Sequence, residues 1–297
     1  MAGGQHPGDG VGQGISRAPS FVARMERDYE LVMGDVLETL GAWQGRFDLV
    51  IADPPFNISF DKASHEYGAK EYKLYLDDMT EAEYLEFSRR WVGACHASLR
   101  PRGSMYVVSG WTNLRLVLDA VASTPFHLLN HIVWRFSWGV YTRRRFVTSH
   151  YHVLLLVKDP ADYTFNKLKG YEEDVWDGEA PVPWGGDATG GEGVCREGDV
   201  WEFPGYNRGN DPDRIKGHPC QLPLQLLRKM ILTSSNEGEL VGDVFSGSGG
   251  TILAARQTGR RVVGFERDPD YEPVIKRKAM WDQPVERLDG KDRKAWF

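Results

Sequence analysis

The sequence predicts an α/β fold built on a mostly parallel sheet, and three observations carry that expectation. Short apolar runs bounded by Gly or Asp recur, "YELVMGD" (29–35) and "RFDLVIAD" (46–53) among them. Runs that are apolar on both faces are the pattern of buried parallel strands. Stretches of helical periodicity alternate with these runs. Near the C-terminus a strand pattern meets a glycine turn and passes straight into a helix, in "DVFSGSGGTILAARQTG" (243–259).

The elements follow in order. After the first strand, "VLETLGAW" (36–43) supplies a helical turn. The next helix begins at Thr80, with Glu83 three residues on as a capping box. It spaces Tyr84, Phe87, Trp91 and Cys95 along one face and is expected to stop at Pro101 and Gly103. A strand over 104–110, a helix over 112–122, and two strands over 128–136 and 151–159 come next, the last two flanking an arginine cluster. From 159 to 217 the periodicity fails, and a loop of that length inside a domain is usually functional or mobile. Pro223 then opens a helix with Leu226, Leu227, Met230 and Ile231 on one face. A strand over 239–245, the glycine turn, its helix and the strand "RVVGFE" (261–266) close the pattern. Residues 1–19 read as a disordered tail, and 20–297 as a single domain containing the 159–217 segment.

Bulk properties narrow the function. The 297 residues are 41% hydrophobic, enough for a substantial core. No run approaches the roughly 20 apolar residues of a membrane span, and the N-terminus lacks the apolar centre of a signal peptide. The chain therefore reads as cytoplasmic, without a membrane partner. Cys95, Cys195 and Cys220 are odd in number and widely spaced, which argues against a disulfide framework. Cys195, Cys220 and His218 lack zinc-site spacing, so no metal site is assigned. The net charge of −6 is the wrong sign for non-specific phosphate binding, so a nucleic acid must be met by a local basic patch. Residues 131–150 offer one: Arg135, Arg143, Arg144 and Arg145, no acid, and interleaved aromatics. Residues 171–203 hold ten acids against the single Arg196 and are unsuited to a phosphate backbone.

Two motifs carry chemistry. Gly247, Gly249 and Gly250 let the backbone turn sharply and present bare N–H groups at a helix N-terminus. Glu266 ends the following strand, where a carboxylate can accept hydrogen bonds from two ribose hydroxyls. The GxGxxG fingerprint fails at Ile252, which favours a cofactor without a pyrophosphate, such as S-adenosylmethionine.

The second motif is "IADPPFNISF" (51–60). Ligands of an open parallel sheet sit beyond the carboxyl ends of its strands, so Asp53 and Gly247, each following a strand, can face one crevice. An exocyclic base amine is a poor nucleophile while its lone pair is delocalised into the ring. The Asp53 carboxylate and the Pro54 carbonyl, stiffened by the Pro54-Pro55 pair, can accept its two N–H bonds. Phe56 can stack on a base that has left the helix. Plainer readings stand beside these: a tight turn ending a strand for Asp-Pro-Pro, and a solvated acid for Glu266.

Taken together and in order, "MGDVLETL", "FDLVIADPPFNI", "FSRRWVGACHASLRPRGSMYVVSG", "NHIVWRF", "GDVWEFP", "HPCQLPLQLLRKMI" and "DVFSGSGGTILAARQTGRRVVGFERDPDY" resemble a family. It is the β class of amino-methylating DNA methyltransferases, in which the catalytic motif precedes the cofactor motif. The resemblance covers most of residues 29–280. It implies an α/β fold with a seven-stranded, mostly parallel, Rossmann-like sheet, helices on both faces and a circularly permuted motif order. It assigns Asp53, Pro54, Pro55 and Phe56 to catalysis. Phe245, Gly247, Ser248 and Gly249 match the cofactor turn, Glu266 the ribose acid and Asp35 the adenosyl pocket; His218 is placed with the cofactor. DNA contacts are expected at Arg143, Arg144, Arg145 and Arg208, and target recognition in 159–217. Leu222 departs from the pattern, standing where the family carries a lysine.

The function so implied is transfer of a methyl group from S-adenosylmethionine to the N6 amine of adenine in double-stranded DNA. An aspartate-led motif leans toward adenine, and cytosine N4 poses the same chemical problem. A covalent cytosine-C5 route is rejected, because Cys95 lies in a helical pattern and Cys195 and Cys220 lack a Pro-Cys context. A non-catalytic DNA-binding protein of the same fold and an RNA methylase remain open at this point. A homodimer and a cognate restriction endonuclease are family expectations.

Overall fold

The structure, a computed structural model, describes residues 28–58, 78–136, 143–166, 198–203, 215, 218 and 220–281. The proposed tail, Arg208 and most of 159–217 lie outside the described residues. Eight strands form one sheet in the order β1 (Tyr29–Met33), β8 (Arg261–Glu266), β7 (Leu240–Asp243), β2 (Phe47–Ala52), β3 (Leu99–Ser109), β5 (His150–Val157), β4 (His127–Arg135) and β6 (Val200–Glu202). Only β5 runs against the others, pairing antiparallel with both β3 and β4.

The helices are α1 (Val36–Thr39, continued by a 3-10 turn over Leu40–Trp43), α2 (Glu81–Ser98), α3 (Leu114–Ala122), α4 (Leu224–Ser234), α5 (Gly250–Gln257) and α6 (Glu272–Ala279). They cover both faces of the sheet. Leu49 and Ile51 of β2 join the core beneath α4, α5 and α6. Phe47, Val50 and Ala52 join the core beneath α2 and α3. That two-sided burial is why β2 reads as a continuous apolar run rather than an alternating one. Among the described residues no helix is long and apolar enough to cross a membrane.

Element ends shift by a few residues throughout, and two larger differences from the sequence reading have a local reason. The helix α2 starts on its capping box, with the Glu83 N–H donating to Thr80 Oγ1 at 3.3 Å and the Thr80 N–H to Glu83 Oε2 at 2.8 Å. It ends at Ser98 rather than at Pro101, because Leu99 already pairs with Phe47 in β3. Pro101 and Gly103 fall in the register shift between that pair and Leu49↔Ser104, the kind of irregularity that tolerates both residues.

The eighth strand is the other difference. It lies within the irregular 159–217 segment and pairs in parallel with β4 through Val133↔Val200 to Arg135↔Glu202. Its anchor is Trp201, a buried ring with the Lys229 ammonium of α4 at 4.3 Å from its centroid. At the segment's other end, Asn166 Nδ2 donates to the carbonyls of Leu232 (3.0 Å) and Ser235 (2.9 Å), satisfying the C-terminus of α4.

Candidate active site

Strands β2 and β7 are neighbours with Ile51 opposite Asp243, so Asp53 and the glycine turn leave the sheet side by side at its carboxyl edge. Adjacent strands lie about 5 Å apart, which brings both motifs to one crevice.

The Asp53–Asn57 turn is held from three directions. The Tyr84 hydroxyl, on α2, donates to the Pro55 carbonyl at 2.9 Å. Asn113 Nδ2 donates to the carbonyls of Phe56 and Asn57, each at 2.8 Å. Asn57 adopts φ 54°, a left-handed conformation that asparagine tolerates, and its side chain bonds both the N–H and the carbonyl of Met79. Pro54 is buried, while Asp53, Pro55 and Phe56 are partly exposed. The Phe56 ring lies so close to Gly110 that a Cβ there would approach it at 3.2 Å, and the Tyr151 ring meets it edge-on at 5.4 Å. Sequence reasoning found the motif but not Tyr84, Asn113, Gly110 or Tyr151, none of which adjoins it along the chain.

The glycine turn is equally constrained. Gly247 (φ 49°) and Gly249 (φ 82°) are both left-handed, and Gly249 caps α5. A Cβ at Gly247 would fall 2.7 Å from His218 Nε2, and one at Gly249 would fall 3.2 Å from the Ile275 Cα. Phe245 packs beneath the turn on Trp91 (5.6 Å) and Phe87 (6.3 Å), and Ser248 is buried. Glu266 has a second task that the sequence does not reveal: Oε2 accepts from the Gly247 N–H and Oε1 from the Asp268 N–H, both at 2.8 Å. It thereby braces the turn, and since the Arg267 N–H donates to it as well, about one of a carboxylate's roughly four lone-pair sites is left for a ligand. The Gly34 N–H donates to the Glu266 carbonyl at 2.8 Å, which sets Asp35 beside this acid. One Asp35 oxygen is occupied in capping α1 through the Leu37 N–H at 2.9 Å.

His218 lies 5.0 Å from the Tyr271 ring. Burial and the neighbouring Lys278 charge push its pKa down to about 4, leaving a neutral imidazole at pH 7. Lys278 is itself buried and donates to Gln221 Oε1 at 3.0 Å, a cation one residue away from Leu222. The Leu222 side chain instead packs against the core.

Three carboxyl groups crowd this crevice. Burial pushes Asp53 up to about 7. Asp243, only 2% exposed, is pushed up to about 8 by burial first and then by the charges of Glu266 and Asp53, and its Oδ2 has no hydrogen-bond partner among the described residues. Glu266 is raised by burial against the opposing effect of its main-chain donors. Burial first, and then the two neighbouring acids, shift Asp243 toward its neutral form. The sequence reading missed Asp243, although it opens the quoted motif.

A helix N-terminus next to a strand-end carboxylate that its own main-chain donors hold in place fits the nucleoside cofactor expected from the sequence. Burial pushes the Cys95 thiol up, the reverse of an activated nucleophile. Arg143, Arg144 and Arg145 are exposed on the connection from β4 to β5. Because β5 is reversed, that connection lies at the carboxyl edge that carries Asp53.

A family model described as DNA methylase, of the N6/N4 type, matches residues 47–277. The chain belongs to this family. It is a DNA amino-methyltransferase, and S-adenosylmethionine is its cofactor. Among its relatives is the DNA adenine methyltransferase YhdJ of Escherichia coli, 29% identical over 252 residues that span 81% of this chain and 79% of that one. The type II methyltransferase M.HpaI of Haemophilus parainfluenzae is 27% identical over 253 residues, covering 84% and 74%. Of solved structures, the cytosine-N4-specific PvuII DNA methyltransferase superposes with TM-score 0.62 at 18% identity over 87% of this chain and 88% of that one. The M1.HpyAVI–SAM complex does so with TM-score 0.54 at 22% identity, covering 84% and 99%. At such identities the likeness establishes the methyltransferase fold.

Proposed function

We propose that the enzyme methylates the N6 amine of adenine in duplex DNA, with Asp53 and Pro54 accepting the two hydrogens of that amine. The observation that carries this reading is the clamped Asp53–Asn57 turn standing beside the glycine turn, with a carboxyl poised near neutrality between them. When bound, S-adenosylmethionine supplies a methyl group already activated on its sulfonium. The N–H groups at the start of α5 and the Glu266 carboxylate would hold the cofactor, with Asp35, Phe245, Ser248 and His218 around it. Gly247 makes room for His218 and Gly249 for Ile275, so the turn packs closely beside the site.

Ionised Asp53 accepts one N–H of the amine, the Pro54 carbonyl accepts the other, and both draw the nitrogen toward tetrahedral geometry. Asp53 then takes the proton that the nitrogen sheds, a task suited to a pKa near 7. Pro55 stiffens the turn, and Phe56 stacks on the extruded base. Arg143, Arg144, Arg145 and Arg208 meet phosphates, and 159–217 reads the target. The choice of adenine is supported by the aspartate-led motif and by the name of the Escherichia coli relative. A cytoplasmic location, a homodimer and a cognate restriction endonuclease complete the reading.

Asp53→Ala tests it. Transfer should fall by about 10²–10³-fold or more, as on removal of a group that stabilises the transition state. Cofactor affinity by calorimetry should stay within about threefold, since the acid is assigned to the amine. Transfer at an undiminished rate would overturn this use of the crevice.

A further inference from the structure

Phe146 is 99% exposed, on the connection that carries the arginine cluster. Val147 beside it is also exposed, and Arg143, Arg144 and Arg145 precede it directly. A large ring left wholly in water forgoes the stabilisation of burial, and here it stands among cations rather than against a core. The root of the connection is rigid. The Phe136 N–H donates to the Ser149 carbonyl at 2.9 Å. The Phe136 ring lies 5.2 Å from Tyr151, which in turn meets Phe56 of the catalytic turn at 5.4 Å. Ser149 is three positions after Phe146, so the two stand within about 10 Å of each other. An exposed phenylalanine that directly follows three arginines is thus carried on a connection whose root reaches Phe56 through the Phe136 and Tyr151 rings.

A base that leaves the helix for such a crevice leaves a gap in the stack and an unpaired partner. Apolar side chains inserted at a base step fill gaps of this kind. We propose that Phe146 is the wedge that enters the duplex as the target base leaves it, with Arg143–Arg145 holding the flanking phosphates. The inference rests on the reading of duplex DNA as substrate.

The test compares Phe146→Ala, Phe146→Trp and the triple variant Arg143→Ala/Arg144→Ala/Arg145→Ala on two oligonucleotide duplexes that carry a mapped target base. In one the target is paired, and in the other it faces an abasic site. Phe146→Ala should lose about 10–100-fold in kcat/KM on the paired duplex and less than about threefold on the other, where extrusion is already easy. Phe146→Trp should keep most activity on both, and the arginine variant should lose activity on both alike. With 2-aminopurine as the target, Phe146→Ala should also lose the fluorescence rise that reports extrusion. Equal loss on both duplexes, or no loss on either, would overturn the wedge. A changed sedimentation coefficient for Phe146→Ala would overturn it too, by assigning the ring to a contact between copies. If the unsubstituted protein labels no DNA, the substrate reading itself has failed.

Discussion

Asp53 and Asp243 are held in states that an ordinary carboxyl would not adopt at neutral pH. Because the Asp53 pKa stands near 7, kcat/KM should rise about tenfold per pH unit below that value and level off above it. Asp243 gives a stability counterpart. Its folded pKa of about 8 lies above the ordinary 3.8, so between these values the folded chain binds more protons than the unfolded one. Stability is therefore lost as pH rises through that window. Asp243→Asn, a neutral isostere, should keep activity at pH 7 within a few-fold. Its melting temperature should gain on the parent from pH 5 to pH 8, by roughly 3 °C or more at the upper end. A loss of fold at pH 7, or a gain independent of pH, would refute the neutral acid. At this scale the sequence disclosed Asp53, Phe56, Gly247 and Glu266 because each belongs to a contiguous motif. It concealed the raised pKa of Asp243, which arises first from burial at the end of its strand and then from Glu266 and Asp53, carried by separate strands.

Helices and strands were legible wherever periodicity ran unbroken. The capping box fixed the start of α2, and the apolar faces of α2 and α4 are the buried ones. The end of α2 was misjudged because pairing of Leu99 with Phe47 is a contact 52 residues apart along the chain, invisible to local pattern. The supports of the catalytic turn were hidden for the same reason. Tyr84 reaches Pro55 from 29 residues away and Asn113 reaches Phe56 from 57. The helix α2 thus holds the proposed catalytic turn through one hydroxyl. Tyr84→Phe should retain the buried ring and its packing, leave the fold and cofactor affinity intact, and lower kcat about tenfold by loosening the Pro55 carbonyl. An unchanged kcat would confine Tyr84 to a packing role.

On the scale of the whole molecule, the proposed reading has a chain of net charge −6 meet a polyanion through one edge of its sheet. The reversal of β5 returns the chain to that edge and exposes Arg143–Arg145 beside the crevice, while ten acids lie within 171–203. The motif order made the methyltransferase sheet legible, yet it implied seven strands. The eighth escaped notice because a three-residue strand inside an acidic, glycine-rich segment carries no periodicity, and only the burial of Trp201 marks it.

The most direct measurement is to incubate the full chain with mixed-sequence duplex DNA and methyl-labelled S-adenosylmethionine, digest to nucleosides and identify the labelled one by mass spectrometry. Label in N6-methyl-deoxyadenosine is the expected result. Label in N4-methyl-deoxycytidine would keep the chemistry of Asp53 and Pro54 but contradict the assigned target. Cofactor binding without label in any deoxynucleoside would contradict DNA methyl transfer itself.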